Sequence, residues 1–383
     1  MKFLYSHRTR ARDGQRVHID ALTDALAERG HEIFVAAPGA ARAPANLAAK
    51  SESWARRALP TALYECAECG YSVPAFYRLT GMIRRDEPDI IYERYNLFYH
   101  AGVWASRRSG LPLILEVNAP LAEERARHGG LFWKRWARQS EEAIWRAADI
   151  VTPVSQSLAD HVRAAGVTEE RIRVIPNGVD DQFLRAADSE AAKARFGLAG
   201  KLVVGFSGFL RDWHRVDRAI EWLAASSRED AALLIVGDGP ARADLEALAR
   251  RLGVAGDCVF TGVVQRAEMP GALEAFDIAL QPAATGYASP LKLFEYMAMG
   301  KAILAPRAAN IEEILSNAAT AMLFDEASAG GFAKALTTLA GDAELRTRLG
   351  AAAREELLRR DYTWRANAGR VEAIAMELLE DRA

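Results

Sequence analysis

The stretch QPAATGYASPLKLFEYMAMG, residues 281–300, predicts the end of a buried strand, a flexible turn and then a helix. Pro290 suits the first turn of that helix, because its φ is already helical and its missing N–H is not needed there. Ser289 precedes it as a candidate capping residue. Unpaired backbone N–H groups at such a helix start, together with the helix dipole, favour an anion. The segment therefore predicts an anion site.

Two charged side chains in this helix make the prediction more specific. Lys292 lies in the first turn, where the helix dipole normally disfavours a cation, so a negative ligand is expected beside it. Glu295 lies one turn further on, within reach of a polar group next to that anion. We expect a phosphate near Lys292 and a sugar hydroxyl near Glu295. The alternative is that Lys292 is only a solvated helix residue.

Length and charge limit the kinds of protein this can be. A chain of 383 residues points to two domains, and a net charge of −2 gives no general case for nucleic-acid binding. No run approaches the roughly 18 apolar residues of a membrane-spanning helix, and the chain enters a strand at once, without a signal region. We expect a protein that is soluble or peripheral to a membrane.

Three cysteines are too few for a disulfide framework, which fits a cytosolic compartment. Cys66 and Cys69 form a CxxC, but no second Cys or His pair stands at metal spacing, and zinc needs four ligands. We expect these to be two small, mostly buried thiols on one helix face, with no metal.

Short apolar runs alternate with helical patterns, which is typical of βα units on parallel sheets. The runs of the first half are Phe3–Tyr5, Ile33–Ala36, Ile90–Tyr92, Leu113–Glu116, Ile150–Thr152 and Ile172–Ile175. Those of the second half are Leu202–Phe206, Leu233–Val236, Val259–Thr261, Ile278–Leu280, Ile303–Ala305 and Ala321–Leu323. Two doubly wound α/β domains joined near 176–200 are predicted.

Ligands of such sheets bind beyond the carboxyl ends of the strands, so the loops there carry most of the functional information. In the first half, a loop with three arginines ends at Gly14, which would let a ligand approach a helix start. Glu93 and Arg94 follow the third strand, and Glu116 and Asn118 lie at the end of the fourth. A solvated loop and an ordinary turn are the alternatives.

In the second half, Arg211 and His214 precede a helix, where phosphate is again favoured. The GDGP turn, which contains Gly239, permits close backbone approach to a ligand. Together with residues 289–295 on the same sheet edge, these loops favour a phosphate site.

Two aromatic and basic segments leave a membrane contact open. Residues 131–146, LFWKRWARQSEEAIWR, could dock on anionic lipid headgroups, but acidic residues dilute the charge and an ordinary sheet-covering helix is favoured. Residues 47–85 have little strand pattern and could form a helical insertion that shapes an acceptor site or touches a membrane.

The order of several motifs resembles the retaining glycosyltransferases of family 4, which have the GT-B fold of two Rossmann-like domains facing a cleft. The motifs are DGQRVH (13–18), LAERGHEI (26–33), VIPNGVD (174–180), LLIVGDGP (233–240), VFTGVV (259–264) and SPLKLFEYMAMGKAIL (289–304). The resemblance implies an acceptor-side domain at 1–180, a nucleotide-sugar domain at 181–360 and a helix at 361–383 that packs on the N-terminal domain.

The implied reaction moves a sugar from a UDP- or GDP-sugar to a hydroxyl, with retention at the anomeric carbon and no metal or cofactor. By position, Glu295 resembles the glutamate that binds the donor ribose. Residues and resemblance together assign donor contacts to Gly14, Gly239, Val263, Val264, Ser289, Pro290, Leu291 and Glu295. Catalytic roles fall to Arg211, His214 and Lys292, and the acceptor side to Glu93, Arg94 and Asn118.

The sequence departs from the family pattern at three places. The first of two glutamates that the family often has falls on Tyr287. The usual Arg and Lys pair falls on Phe209 and His214, so Arg211 is expected to replace the lost guanidinium. Asn118, in EVNAP, stands where many members have a histidine, a pattern that resembles a bacterial subgroup associated with exopolysaccharide synthesis.

The expected mechanism stabilises the leaving diphosphate with fixed donors, namely Arg211, Lys292, helix starts and a protonated His214. No carboxylate stands out as a nucleophile, so we expect front-face attack by the acceptor, a glycan or lipid-linked glycan, in the cytoplasm or at the inner face of the membrane. A nucleotide-sugar 2-epimerase and a non-catalytic nucleotide-sugar-binding protein are the alternatives. A dehydrogenase is disfavoured because no GxGxxG follows the first strand of either half.

Overall fold

The structure is a computed structural model that describes residues 1–9, 14–38, 60–128, 130–185, 188–226 and 228–382. Contacts between residues divide the chain into two compact units. The N-terminal unit comprises Met1–Pro176, Tyr287–Ser289 and Trp364–Ala383. The C-terminal unit comprises Asn177–Gly286 and Pro290–Thr363.

The N-terminal unit is built on a five-stranded parallel sheet. Its strands are β1 Lys2–Ser6, β2 Glu32–Ala36, β3 Ile90–Arg94, β4 Leu113–Val117 and β5 Ile150–Pro153. The order is β2-β1-β3-β4-β5. Because β1, β3 and β4 are neighbours and run in the same direction, their carboxyl ends lie side by side.

Helices connect the strands of this sheet. They are α1 Gly14–Glu28, α2 Thr61–Gly70, α3 Ser72–Asp86, α4 Ala101–Ser109, α5 Leu121–His128, α6 Lys134–Ala147 and α7 Gln156–Ala164. α2 and α3 fall within the segment expected to form a helical insertion, of which residues 47–59 lie outside the described residues.

The C-terminal unit has a six-stranded parallel sheet in the order β11-β10-β9-β6-β7-β8. Its strands are β6 Leu202–Ser207, β7 Ala231–Val236, β8 Cys258–Gly262, β9 Ile278–Leu280, β10 Ala302–Pro306 and β11 Met322–Phe324. Val203 and Val204, consecutive in β6, belong to two separate core clusters. Since consecutive strand residues point to opposite faces, the sheet is buried on both sides, as parallel sheets require.

The helices of the C-terminal unit cover these faces. They are α8 Ser189–Arg195, α9 Asp217–Ala225, α10 Arg242–Arg251, α11 Met269–Leu273, α12 Leu291–Ala298, α13 Ala309–Glu312, α14 Gly331–Gly341 and α15 Ala343–Arg360. The α/β fold class and two doubly wound sheets are thus as the sequence predicts.

The last helix, α16 Trp364–Glu380, packs along α1 within the N-terminal unit. The ring of Trp364 meets that of His18 edge-on, with 4.7 Å between centroids. Glu372 pairs with Arg29 at the far end of α1. The predicted return of the terminal helix to the N-terminal unit is confirmed.

Residues 172–175 do not form the separate strand that their apolar pattern predicts. Arg173 and Ile175 donate backbone hydrogen bonds to β5, yet only one bridge forms, between Val151 and Ile172. β5 itself ends at Pro153, which accepts from Ile175, so the pairing extends no further.

The expected burial of the two thiols in α2 is wrong. Cys66 is exposed and Cys69 is half-buried. The side chain of this helix that is completely buried is Glu65. Both thiols are free. The described residues hold no group of three or more His, Cys, Asp or Glu placed to bind a metal ion.

Candidate functional site

Three loops with predicted ligand contacts lie next to one another at one edge of the C-terminal sheet. They follow β9, β6 and β7, which are adjacent parallel strands. The predicted convergence of residues 208–215, 237–240 and the start of α12 on one sheet edge is therefore what the topology produces.

The predictions that Ser289 caps the helix and that Pro290 lies in its first turn are each wrong by one residue. Pro290 has φ −68° and ψ 118°, which is extended, and it occupies the flanking position before Leu291 without a side-chain capping bond. The fixed φ of a proline suits an extended backbone as well as a helical one, so Pro290 can precede the helix, which begins at Leu291.

Lys292 is not a solvated helix residue. Its ammonium nitrogen is buried, and it has no hydrogen-bond partner among the described residues. It lies 3.8 Å from the centroid of the Phe206 ring and directly over Gly208, where an added Cβ would come within 3.0 Å of it. Burial lowers the pKa of Lys292 to about 7, an effect that Glu295 only partly offsets. A buried cation without a partner is a strong indication of an anionic ligand.

His214 faces the same ring, with 5.7 Å between the centroids of His214 and Phe206. Burial, reinforced by the charge of Lys292, lowers the pKa of His214 to about 3. Burial thus disfavours the protonated imidazole that we expected in this cluster.

Arg211 lies against two aromatic rings. Its guanidinium carbon is 4.8 Å from the Phe209 centroid and 4.7 Å from the Trp213 centroid. Such stacking leaves the edge of a planar guanidinium available for a phosphate.

The glycines of the GDGP turn lie close to the backbone of residues 208–210. An added Cβ on Gly237 would lie 2.1 Å from the carbonyl oxygen of Gly208, and one on Gly239 would lie 2.3 Å from that of Leu210. The Leu210 N–H donates to the carbonyl of Asp238 across this contact. Gly239 thus fixes the loop that carries Arg211, a role different from the ligand approach that the sequence suggested.

Glu295 is buried and is held by an arginine that sequence reasoning missed. Arg266 donates from Nη1 to Oε1 of Glu295, and from Nη2 and Nε to Oδ2 of Asp180 at 2.5 and 3.0 Å. Burial raises the pKa of Glu295, and the charge of Arg266 opposes that rise. Asp180 belongs to the VIPNGVD motif, but nothing in the sequence pairs it with an arginine 86 residues further on.

The other predicted donor contacts lie at the ends of elements. Val263 is exposed and Val264 half-buried, directly after β8 and just before Arg266. Gly14 is the exposed first residue of α1, and residues 10–13 of the loop before it lie outside the described residues.

In the N-terminal unit, Glu116 at the end of β4 is a completely buried acceptor. It receives hydrogen bonds from Tyr92 (2.9 Å), Asn118 (2.6 Å) and Arg94, and its Oε2 lies 2.9 Å from Nε2 of His18. Burial alone would raise the pKa of Glu116, but His18 and Arg94 hold it well below its usual range. The hydrogen bonds that this carboxylate accepts hold the side chains of Arg94 and Asn118 in place.

Glu93 is also completely buried, unlike a group that faces a ligand. Ser6 donates to it at 3.0 Å, and Gly102 leaves the space that its carboxyl fills. Burial raises the pKa of Glu93 to about 8, so this group is mostly protonated at neutral pH. This burial does not favour its predicted acceptor contact.

Tyr287, which replaces the expected glutamate, is tied into the N-terminal unit. Its hydroxyl donates to Oε2 of Glu124 at 2.7 Å, and its carbonyl accepts from Ser155 at 2.8 Å.

Family models match both halves of the chain. "Glycosyltransferase Family 4" matches residues 12–183, and "Glycosyl transferases group 1" matches residues 188–356. The chain belongs to glycosyltransferase family 4. This is a family of nucleotide-sugar-dependent retaining transferases with the GT-B fold, typically without a metal.

Individual family members show how far the similarity extends. A 2-deoxystreptamine glucosyltransferase of Streptomyces kanamyceticus is 35% identical over 156 residues, which is 39% of this chain and 38% of that protein. A GDP-mannose-dependent alpha-mannosyltransferase of Mycolicibacterium smegmatis is 27% identical over 89% of this chain and 87% of that protein. The structure of Anabaena HepE in complex with UDP-glucose matches with a TM-score of 0.77 and 18% identity, covering 98% of this chain and all of HepE.

Proposed function

We propose that this family 4 glycosyltransferase moves a sugar from a UDP- or GDP-sugar to a hydroxyl of a glycan or lipid-linked glycan. The observation that carries the proposal is the buried, unpartnered ammonium of Lys292 at the start of α12. A diphosphate is the ligand that satisfies both this cation and the helix start.

The C-terminal domain, residues 181–360, binds the donor in this proposal. The diphosphate lies against Lys292 and the backbone of Ser289, Pro290 and Leu291, and Gly14 stays a proposed donor contact. Arg211 adds a second charge-assisted contact, and neutral His214 donates a hydrogen bond. The base lies near Val263 and Val264.

Arg266 and Asp180 position Glu295 for the ribose. Because Arg266 occupies Oε1 of Glu295, the second carboxylate oxygen is left for the ribose hydroxyls. Asp180 holds the other side of the guanidinium and so fixes its orientation. The charge of Arg266 opposes the rise in the pKa of Glu295 that burial causes.

The chemistry of the proposal is stabilisation of the leaving group. Breaking the anomeric C–O bond leaves charge on the diphosphate, and fixed donors aimed at that charge lower the barrier, by about 3 kcal/mol for one good donor. The acceptor hydroxyl attacks from the same face as the departing diphosphate, which gives retention without a covalent intermediate.

The acceptor binds the N-terminal domain, residues 1–180. Arg94 and Asn118 are the proposed contacts, because Glu116 holds both of them in fixed positions. In this scheme the buried Glu93 stabilises β3 through the hydrogen bond that it accepts from Ser6. Of residues 361–383, the helix α16, Trp364–Glu380, completes this domain by packing on α1.

The proposed biological setting is polysaccharide synthesis. EVNAP around Asn118 supports polysaccharide synthesis in a bacterium, and three free thiols support the cytoplasm or the inner face of its membrane. The relatives have different names, a glucosyltransferase and a GDP-mannose-dependent enzyme, so both UDP- and GDP-sugars remain donors to test.

A transfer assay tests the function directly. The chain is incubated with UDP- or GDP-hexoses and extracted lipid-linked glycans, and the new linkage is examined by NMR. An α-linked product from an α-linked donor, lost in Lys292→Met, supports the proposal. An epimerised nucleotide sugar formed without acceptor would identify an epimerase, and binding without turnover would identify a non-catalytic protein.

A further inference from the structure

The loop that leads into α6 exposes two neighbouring aromatic side chains. Phe132 is 61% exposed and Trp133 is 46% exposed, and their rings meet edge-on with 4.9 Å between centroids. We call this pair the aromatic tip. The donor chemistry proposed above makes no use of it.

The backbone beneath the aromatic tip is held in place by a buried acid. Glu65 of α2 is completely buried, and its carboxylate accepts the backbone N–H of Phe132 at 2.7 Å and of Trp133 at 2.9 Å. Leu131, just before the tip, is buried. A carboxylate at a helix start is favourable, so α6 begins in a fixed position that points two large apolar rings outward.

The other face of α6 behaves as an ordinary sheet-covering helix. Ala137, Ile144 and Trp145 are buried in the core clusters of the N-terminal unit. The interpretation favoured by the sequence thus accounts for most of the helix, but leaves its exposed start unexplained.

Basic residues lie on both sides of the tip along the chain. Residues 125–140, RARHGGLFWKRWARQS, contain five Lys or Arg and no Asp or Glu, but Arg125 pairs with Glu68 and Arg127 with Glu123. Lys134 and Arg135 are exposed and form no ion pair within the described ranges, and Arg138, one turn further, lies 3.7 Å from Glu142. We call Lys134, Arg135 and Arg138 the basic flank.

We propose that the aromatic tip and the basic flank together dock on the surface of a bilayer that contains anionic lipid. Exposed aromatic rings sit at the level of the headgroups, and flanking lysines and arginines bind their phosphates. None of the helices in the described part of the chain could cross a bilayer, so this contact is made from the surface. The inference extends the proposed lipid-linked acceptor, because such an acceptor is presented at that surface.

Vesicle flotation tests the docking surface. The full chain is mixed with phosphatidylcholine vesicles, with or without phosphatidylglycerol. We expect flotation only with the anionic vesicles, and less of it at high salt. Lys134→Gln/Arg135→Gln/Arg138→Gln should partition roughly a hundredfold more weakly, at about fivefold for each charge. Phe132→Ser/Trp133→Ser should also lose flotation.

A matched control separates this surface from general charge and apolarity. Arg250, Arg251 and Leu358 are exposed in the C-terminal unit, and Arg250→Gln/Arg251→Gln/Leu358→Ser should float like the unchanged chain. All variants should keep the unchanged thermal midpoint and the same stabilisation by nucleotide sugar. That readout belongs to the donor site, so failure of docking and failure of the proposed function are separable.

Three results would overturn the inference. The first is that the unchanged chain does not bind anionic vesicles. The second is that both surface variants float as well as the control. The third is that sedimentation without lipid reveals a dimer that Phe132→Ser/Trp133→Ser dissociates, which would identify a second copy as the occupant.

Discussion

At the scale of single residues, the buried ammonium of Lys292 has no hydrogen-bond partner among the described residues, which lowers stability until an anionic ligand binds. Lys292→Met keeps the volume of the side chain and removes the ammonium. We expect the free energy of unfolding to rise by about 1–3 kcal/mol near pH 6.5, the usual cost of a buried unsatisfied group, while transfer activity is lost. Denaturant unfolding of the two chains measures the difference.

The pH dependence of that difference has a definite sign. The pKa of Lys292 is about 7 in the folded chain, below its ordinary value of 10.5, so the unfolded chain binds more protons between these values. The unchanged chain therefore gains stability as pH rises from 7 to 10.5, and the advantage of Lys292→Met should shrink over that range. Lys301→Met is the control, since Lys301 pairs with buried Glu274 at 3.1 Å and its loss should destabilise. A destabilised Lys292→Met would contradict the account.

Arg266 is the residue whose role is easiest to separate from simple stability. Arg266→Gln should raise KM for the nucleotide sugar about tenfold, a loss of about 1.4 kcal/mol, with a smaller change in kcat, because Glu295 loses its orientation. Arg266→Lys should restore part of the loss. Arg228→Gln breaks a surface pair with Asp230 and should leave both constants unchanged. If kcat fell equally in Arg266→Gln and Arg228→Gln, a role for Arg266 in positioning Glu295 would be ruled out.

At the scale of elements, the GDGP turn is fixed by contact between two loops. Gly239→Ala places a methyl group 2.3 Å from the Leu210 carbonyl oxygen, so backbone must move. We expect stability to fall by about 1–3 kcal/mol and donor binding to weaken, because the displaced loop carries Arg211. Gly256→Ala, where no atom lies within 4 Å, is the matched control, and chemical denaturation of both variants is the measurement. Equal stability of the two variants would disprove the contact argument.

The arrangement of side chains at the end of β4 depends on the buried carboxylate of Glu116. Glu116→Gln leaves Arg94 buried beside a neutral amide, and we expect stability to fall by about 3–5 kcal/mol, the usual cost of breaking a buried pair. Tyr92→Phe removes one hydrogen bond to the same carboxylate and should cost about 1 kcal/mol. Thermal unfolding of both variants distinguishes these values, and a smaller loss for Glu116→Gln would show that Arg94 finds another partner.

Strand periodicity predicts most of the architecture, because a buried parallel strand is a short apolar run whatever its partners. It fails at 172–175, where apolar residues run beside β5 but the pairing ends with β5 at Pro153. Patterns of neighbouring residues also singled out Lys292 and Glu295 as candidates. They could not locate Arg266, because its partners Asp180 and Glu295 come from distant parts of the chain. Nor could they tell that Glu93 is buried, since a strand end reads the same whether its last carboxylate faces inward or outward.

At the scale of the whole molecule, each unit has its own parallel sheet and its own cluster of charged groups. The N-terminal unit fixes Arg94 and Asn118 through Glu116, and the C-terminal unit leaves the ammonium of Lys292 without a hydrogen-bond partner among the described residues. This difference is why we assign the anionic donor to the C-terminal unit and the acceptor to the other.

The central claim is that a nucleotide sugar binds the C-terminal unit through Lys292 and Glu295. Thermal unfolding with UDP-, GDP- and ADP-sugars tests it most directly, because a ligand at a hundred times its Kd stabilises the fold by about 2.7 kcal/mol. We predict that one of the UDP- or GDP-sugars raises the midpoint by several degrees in the unchanged chain and leaves Glu295→Ala unmoved. An equal rise in Glu295→Ala would contradict the claim.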